Sequence, residues 1–154
     1  MKVKLLTIGN RAPSWVEQGF QEYARRMPRE LPLVLTEIAP EKHHKDKQRF
    51  RAREGERMAQ HIDARDWVVA LDEHGRNLES VALAKRLSIW QEQAQDVALL
   101  VGGSDGLAPE LLSRANETIA LSALTLPHYL VRVVVAEALY RASSINAGHP
   151  YHRA

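Results

Sequence analysis

Apolar positions along this chain follow two periodicities in turn, and their order implies an α/β fold. Val3–Ile8 (VKLLTI) is a short apolar run closed by Gly9-Asn10, the pattern of a buried strand. Pro13 stands where a helix begins, and Trp15, Val16, Phe20, Tyr23 and Ala24 recur at helical spacing until Pro28. Leu33–Ile38 reads as a second strand, closed by Pro40. A polar helix then runs through Ile62, with Phe50, Met58 and Ile62 as its sparse apolar contacts. Trp67–Leu71 (WVVAL) is continuous enough to be a central strand, and Val97–Val101 (VALLV) is a fourth, with a helix at Leu78–Gln91 between them. A short helix from Pro109 to Asn116, a fifth strand at Thr118–Leu121 and a last helix from Tyr129 to Ile145 complete the pattern. Strands alternating with helices predict a parallel-type sheet flanked by helices. No repeat or low-complexity linker interrupts it, so residues 1–154 read as one domain.

Composition narrows the class. Of 154 residues 45% are apolar and 26% charged, as in an ordinary globular domain, and no apolar run approaches the roughly 20 residues of a membrane span. The first residues carry too short an apolar stretch for a signal peptide, so a cytoplasmic protein with no membrane partner is expected. There is no cysteine, which excludes disulfides, thiolate metal sites and thiol nucleophiles. The net charge of +2 is uneven: residues 1–66 hold 14 Lys/Arg against 10 Asp/Glu, and residues 67–154 hold 7 against 9. Lys42–Arg53 (KHHKDKQRFRAR) concentrates six Lys/Arg and two His with one acid. Such a stripe suits a phosphate backbone, and equally suits a solvated helix face.

Glycines cluster where strands end. Leu71-Asp72-Glu73-His74-Gly75 follows the third strand, and Gly102-Gly103-Ser104-Asp105-Gly106 follows the fourth. Open α/β sheets bind ligands at the carboxyl ends of strands, and glycine admits a ligand close to the backbone. Ordinary strand-to-helix turns would read the same way. Neither loop is G-x-G-x-x-G or a P-loop, and Asp105 would repel phosphates while tolerating a cationic or zwitterionic ligand. Leu121–His128 (LSALTLPH) is an apolar loop leaving a strand, suited to enclosing a flat aromatic group or to completing the core. The helix that follows, Leu130–Tyr140 (LVRVVVAEALY), is apolar nearly all round and must be covered on more than one side, which points to a partner subunit ahead of the alternative, a central core helix in a monomer. Glu137 and Arg141 stand four residues apart on it and can pair. The tail His149-Pro150-Tyr151-His152-Arg153 brings imidazole, phenol and guanidinium groups suited to RNA. No third ligand stands near His149 and His152, so no metal is expected.

These last segments carry a resemblance. Leu121–His128, Val131-Arg132-Val133, Ala136–Ala142 (AEALYRA) and His149–Arg153 (HPYHR) closely resemble the bacterial 23S rRNA pseudouridine-N3 methyltransferases of the SPOUT superfamily. Leu6–Gly9, Trp15, Tyr23, Arg26, Leu71-Asp72 and Gly102-Gly103 fit as well, so the resemblance spans essentially the whole chain. One departure is Gly102-Gly103-Ser104-Asp105-Gly106, where that group usually reads Gly-Gly-Pro-Glu-Gly.

The resemblance implies a SPOUT fold with a C-terminal trefoil knot, a homodimer, and S-adenosylmethionine as methyl donor without a metal. Donor contacts carried over by motif are Leu71, Gly102, Gly103, Ser122, Ala123, Leu124, Thr125, Leu126 and Pro127. The implied substrate is N3 of a pseudouridine in 23S ribosomal RNA, on assembled ribosomes, read by the dimer surface. That nitrogen must lose a proton before it attacks. His128 is the first candidate base, His152 a second, with Tyr151 orienting the ring and Arg153 stabilising charge. A histidine at 128 that only fixes the loop by a hydrogen bond is the plainer alternative. Competing functions are a SPOUT enzyme acting on another RNA such as tRNA, and a non-enzymatic ribosome-associated factor.

Overall fold

The computed structural model describes residues 1–41 and 46–153. His43 and His44, with the lysines on either side of them, lie outside the described residues. In chain order the elements are β1 (Val3–Ile8), α1 (Ser14–Ala24), β2 (Leu33–Ile38), α2 (Lys47–Ala59), β3 (Trp67–Asn77), α3 (Ser80–Glu92), β4 (Val97–Val101), α4 (Pro109–Arg114), β5 (Glu117–Ala120) and α5 (Leu130–Asn146). The five strands form one sheet in the order β2-β1-β4-β3-β5, and every pair is parallel.

The middle strand shows why the order is stable. All five residues of β4 are buried, and successive side chains point to opposite faces. Val97, Leu99 and Val101 join a core with Phe20 of α1, Leu87 and Trp90 of α3, and Val135, Leu139 and Ala142 of α5. Ala98 and Leu100 join the other core, with Met58 of α2 and Leu111 of α4. A strand apolar on both faces thus draws helices to both faces.

α1 and α3 flank α5 on that first face, and Asn146 donates to the Ala84 carbonyl at 2.9 Å. No residue from Leu130 to Ile145 is exposed. Much of the apolar surface that pointed to a second subunit is therefore covered within one chain.

β3 differs from the sequence expectation. It does not end at Leu71 but reaches Asn77, with a register shift between Leu71 and Arg76 where β3 meets Ile119 of β5. The backbone bulges out at Asp72–His74 and returns. Gly75 makes the return possible, since a Cβ there would lie 2.7 Å from the Ile119 backbone. That glycine serves strand pairing rather than ligand approach.

β5 is short, and one carboxylate holds it. Glu117 accepts Trp67 Nε1–H at 2.6 Å and Trp90 Nε1–H at 2.8 Å on one oxygen, and its other oxygen forms an ion pair with Arg86, 2.7 Å from Nε. Burial alone would raise its pKa, but the bonds from Arg86, Trp67 and Trp90 outweigh it and hold the carboxyl below its ordinary 4.5. Glu117→Gln turns an N–H toward donors and should cost about 1–3 kcal/mol in urea unfolding at pH 7. Because the folded pKa is depressed, this stabilisation is full above about pH 4.5 and is lost as pH falls through the folded value. The variant should show a correspondingly shallower acid dependence, read from unfolding midpoints across pH 3 to 6.

Candidate active site

A cleft of about 800 Å³ opens at the carboxyl ends of β3 and β4. Parallel sheets place it there because the loops that leave the strands diverge to opposite faces. Asp72, Glu73 and His74 from the β3 bulge form one wall, and Gly102–Leu107 after β4 forms another. Leu121, Ser122, Leu124, Thr125, Leu126 and His128 form a third, with Leu112 of α4, Val131 of α5 and Arg51 of α2 completing it.

The glycine loop is shaped by contact with itself. Gly103 and Gly106 form a bridge, with Gly106 N donating to the Gly103 carbonyl at 3.0 Å. A Cβ on Gly102 would lie 2.4 Å from Gly106 C and 2.6 Å from Leu107 N, so only hydrogen fits there. Gly106 instead needs its φ of +81°, with nothing crowding it. In the apolar loop, Ser122 Oγ accepts the Leu124 N–H at 2.9 Å, a turn that leaves Leu124 76% exposed at the cleft rim.

His128 ends this loop, and its Nε2–H donates to the Ile8 carbonyl. That bond leaves Nδ1 as the only nitrogen able to accept a proton. Burial lowers its pKa below 6.5; the Ile8 carbonyl partly offsets this and the Arg132 charge lowers it further. The imidazole is therefore neutral at pH 7. Arg132, four residues on and 2% exposed, donates to the Gly9 carbonyl at 2.6 Å and to Glu37 at 2.7 Å, with its guanidinium 4.9 Å from the Tyr129 ring.

The structure therefore brings Leu71, Gly102, Gly103, Ser122, Leu124, Thr125, Leu126 and His128 to one cleft. Ala123 and Pro127 belong to the same loop but do not line it, and the tail is elsewhere. Tyr151 Oη donates to Glu137 at 3.1 Å, its ring packs edge-on to Tyr140 at 4.7 Å, and Arg141 lies 4.9 Å above it. Arg141 pairs with Glu137 as the four-residue spacing implied, and its NH1 donates to His152 Nδ1 at 3.2 Å. Burial first, then the Glu137 carboxylate, pushes the Tyr151 phenol up to about 12. Arg153 is exposed. From Leu130 beside the cleft to Arg141 beside the tail is about 16 Å along α5.

Sequence reasoning missed Arg51, Leu107, Leu112 and Val131 as cleft residues and Arg132 as the buried cation beside His128. Arg51 carries no mark that separates it from the other cations of the basic stripe. Arg132 did carry one: it is a cation flanked by valines (LVRVVV) at the start of an apolar helix, and a charge buried there is paired or costly. Among the described residues, no group of three or more His, Asp or Glu is placed to hold a metal ion, and no helix is long and apolar enough to cross a membrane.

Comparison with known proteins adds to this geometry. A family model described as "Predicted SPOUT methyltransferase" matches residues 1–152. The chain is 48% identical to ribosomal RNA large subunit methyltransferase H of Hahella chejuensis over 155 residues, 99% of each chain. It is 47% identical to the protein of the same name from Dichelobacter nodosus over 156 residues, the whole of both. Among solved structures it is similar in fold to a probable methylase family protein from Haemophilus influenzae, with a TM-score of 0.59 and 12% identity, covering 99% of this chain and 70% of that one.

The two glycines should respond differently to alanine. Gly102→Ala forces backbone against backbone and is expected to cost about 2–3 kcal/mol or to rearrange the loop. Gly106→Ala bears only the left-handed φ, about 1–2 kcal/mol. Urea unfolding of both variants checks the order.

Proposed function

The chain belongs to the SPOUT methyltransferase family, and on that premise we propose that it methylates ribosomal RNA of the large subunit, at N3 of a pseudouridine in 23S RNA, with S-adenosylmethionine as donor. One observation carries the reading: the glycine loop and the apolar loop, separated in sequence by α4 and β5, line one cleft at the sheet's carboxyl edge. Full-length identity to two ribosomal RNA large subunit methyltransferases supports the substrate class.

The cleft suits that donor. It offers close backbone at Gly102 and Gly103, an apolar wall at Leu121, Leu124 and Leu126, and the carboxylates of Asp72, Glu73 and Asp105 for a ligand of net positive charge. Leu71, Gly102, Gly103, Ser122, Leu124, Thr125 and Leu126 would hold it, with Ala123 and Pro127 setting the loop from its outer side. The bound sulfonium supplies an electrophilic methyl group, so neither a metal nor a covalent enzyme adduct is needed.

The protein's task is then to orient the base and take its proton. His128 fits the second role: it lines the cleft, burial keeps it neutral, and the Ile8 bond leaves Nδ1 to accept. The hydrogen bond of the plainer alternative is present too, and the roles are compatible, since a protonated imidazole still donates to Ile8. Lys47, Arg49 and Arg53 are exposed on α2 and suit a phosphate backbone.

The tail lies too far from its own cleft to serve it. We assign Tyr151, His152 and Arg153 to the cleft of a partner subunit in a homodimer, with residues after β5 forming the trefoil knot of the family. The high pKa of Tyr151 makes it a phenol that stacks on or orients the base rather than a proton acceptor. In that cleft Arg153 would stabilise charge on the flanking carbonyl oxygens, and His152 would be a second acceptor, its Nδ1 engaged by Arg141 in its own chain. A cytoplasmic location follows from the ribosomal substrate.

His128→Gln keeps an amide N–H for Ile8 while removing the base. Its melting temperature should stay near wild type while methyl transfer falls about 10²- to 10⁴-fold. An unchanged rate would leave His128 only its loop-fixing bond. In wild type the acid limb of kcat/KM should lie below pH 6.5, the direction in which His128 is shifted. Deleting residues 149–154 should abolish methyl transfer while calorimetric donor binding stays near normal; full activity would remove the tail from the site.

A further inference from the structure

The cleft described above has a marked charge imbalance. Three carboxylates line it, from Asp72, Glu73 and Asp105. Among the described lining residues the permanent cation is Arg51. Arg51 comes from α2 and lines the cleft together with Leu107 and Leu112. Its own partners are poor. NH1 donates to the Asp105 carbonyl at a long 3.4 Å, and Nε is buried with no hydrogen-bond partner among the described residues. A guanidinium has five N–H donors, and here one long bond uses one of them. A half-buried guanidinium left this way in a concave site is matched by a planar oxyanion that can take two donors at once.

Resting on the reading of the cleft as a donor site, we propose that Arg51 binds the α-carboxylate of S-adenosylmethionine. The charge distribution then divides the ligand. The amine and sulfonium belong near the carboxylates, the carboxylate belongs at Arg51, and the adenine belongs at the apolar wall of Leu121, Leu124 and Leu126. An RNA phosphate is the weaker occupant of the same guanidinium. It would have to sit beside Asp105, whose Oδ1 is already 3.9 Å from Lys47 Nζ, inside a cleft with an excess of negative charge. The donor, with its net positive charge, is favoured by that excess.

Calorimetric titration of the full chain with S-adenosylmethionine and with its decarboxylated form reads the contact, since the second keeps sulfonium and amine and lacks only the carboxylate. Wild type is expected to bind the complete donor about 10- to 100-fold more tightly. Arg51→Gln should weaken the complete donor by a similar factor while the decarboxylated form binds as before or more tightly. Arg51→Lys should recover part of the loss, as a single point charge in place of a fork. Equal affinities of wild type for the two donors overturn the assignment, even if the variant fails to fold. Equal weakening of both donors in Arg51→Gln also overturns it. So does normal binding of both with a raised KM for the ribosomal substrate, which would assign Arg51 to a phosphate. Wild type that binds neither compound defeats the donor-site reading itself.

Discussion

The start of α5 is fastened to the exit of β1, and the cleft depends on that joint. His128 donates to the Ile8 carbonyl and Arg132 to the Gly9 carbonyl, so two side chains one turn apart satisfy two carbonyls at the end of one strand. Arg132 also reaches Glu37 at the end of β2. A buried guanidinium is tolerated only when paired, so the charge that would penalise an apolar helix instead specifies where it docks. Gly9 makes room: its φ is +125°, and a Cβ there would lie 3.1 Å from His128 Nε2 and 3.2 Å from Tyr129 Oη. With its start held by β5 against β3 and its end by His128, the loop from Leu121 to Pro127 can form a wall without regular structure of its own.

The second organising feature is electrostatic separation along α5. Its first turn faces an acid-lined cleft, and its middle and C-terminal half carry Glu137 and Arg141, on which the tail folds back. The tail is not loose against its own chain. It packs edge-on against Tyr140 and bonds to Glu137 and Arg141, so its aromatic and basic groups are presented as an ordered surface. Two chemistries that one reaction would need thus sit at opposite ends of one helix. In the proposed homodimer that division would give the second copy a chemical purpose that apolar coverage alone does not, because α1 and α3 already cover much of α5.

Much of the fold was legible along the chain because local periodicity reports burial. Val97–Val101 reads as a strand buried on both faces and is one, with the same boundaries. Helix ends were less legible. α1 stops at Ala24 and α2 at Ala59, short of Pro28 and Ile62, because the chain leaves the helix in turns whose residues still pack inward: Met27 and Ile62 are buried. The candidate site was legible in part. Glycines at strand ends, which read equally as ordinary turns, and the apolar LSALTLPH segment, an unusual loop to leave a strand, both lie on the cleft.

What the sequence determined by itself was the succession of strands and helices, the faces each buries, and the presence of unusual loops at strand ends. These follow from spacings of a few residues. The tertiary structure alone decided that β3 continues past its bulge to Asn77, because that needs Ile119 of a strand far along the chain. It alone decided that Arg132 meets Glu37, that Arg51 rather than its basic neighbours enters the cleft, and that the tail lies away from His128. Each of these depends on which distant groups the sheet order brings within a few ångströms, and no local periodicity encodes that order.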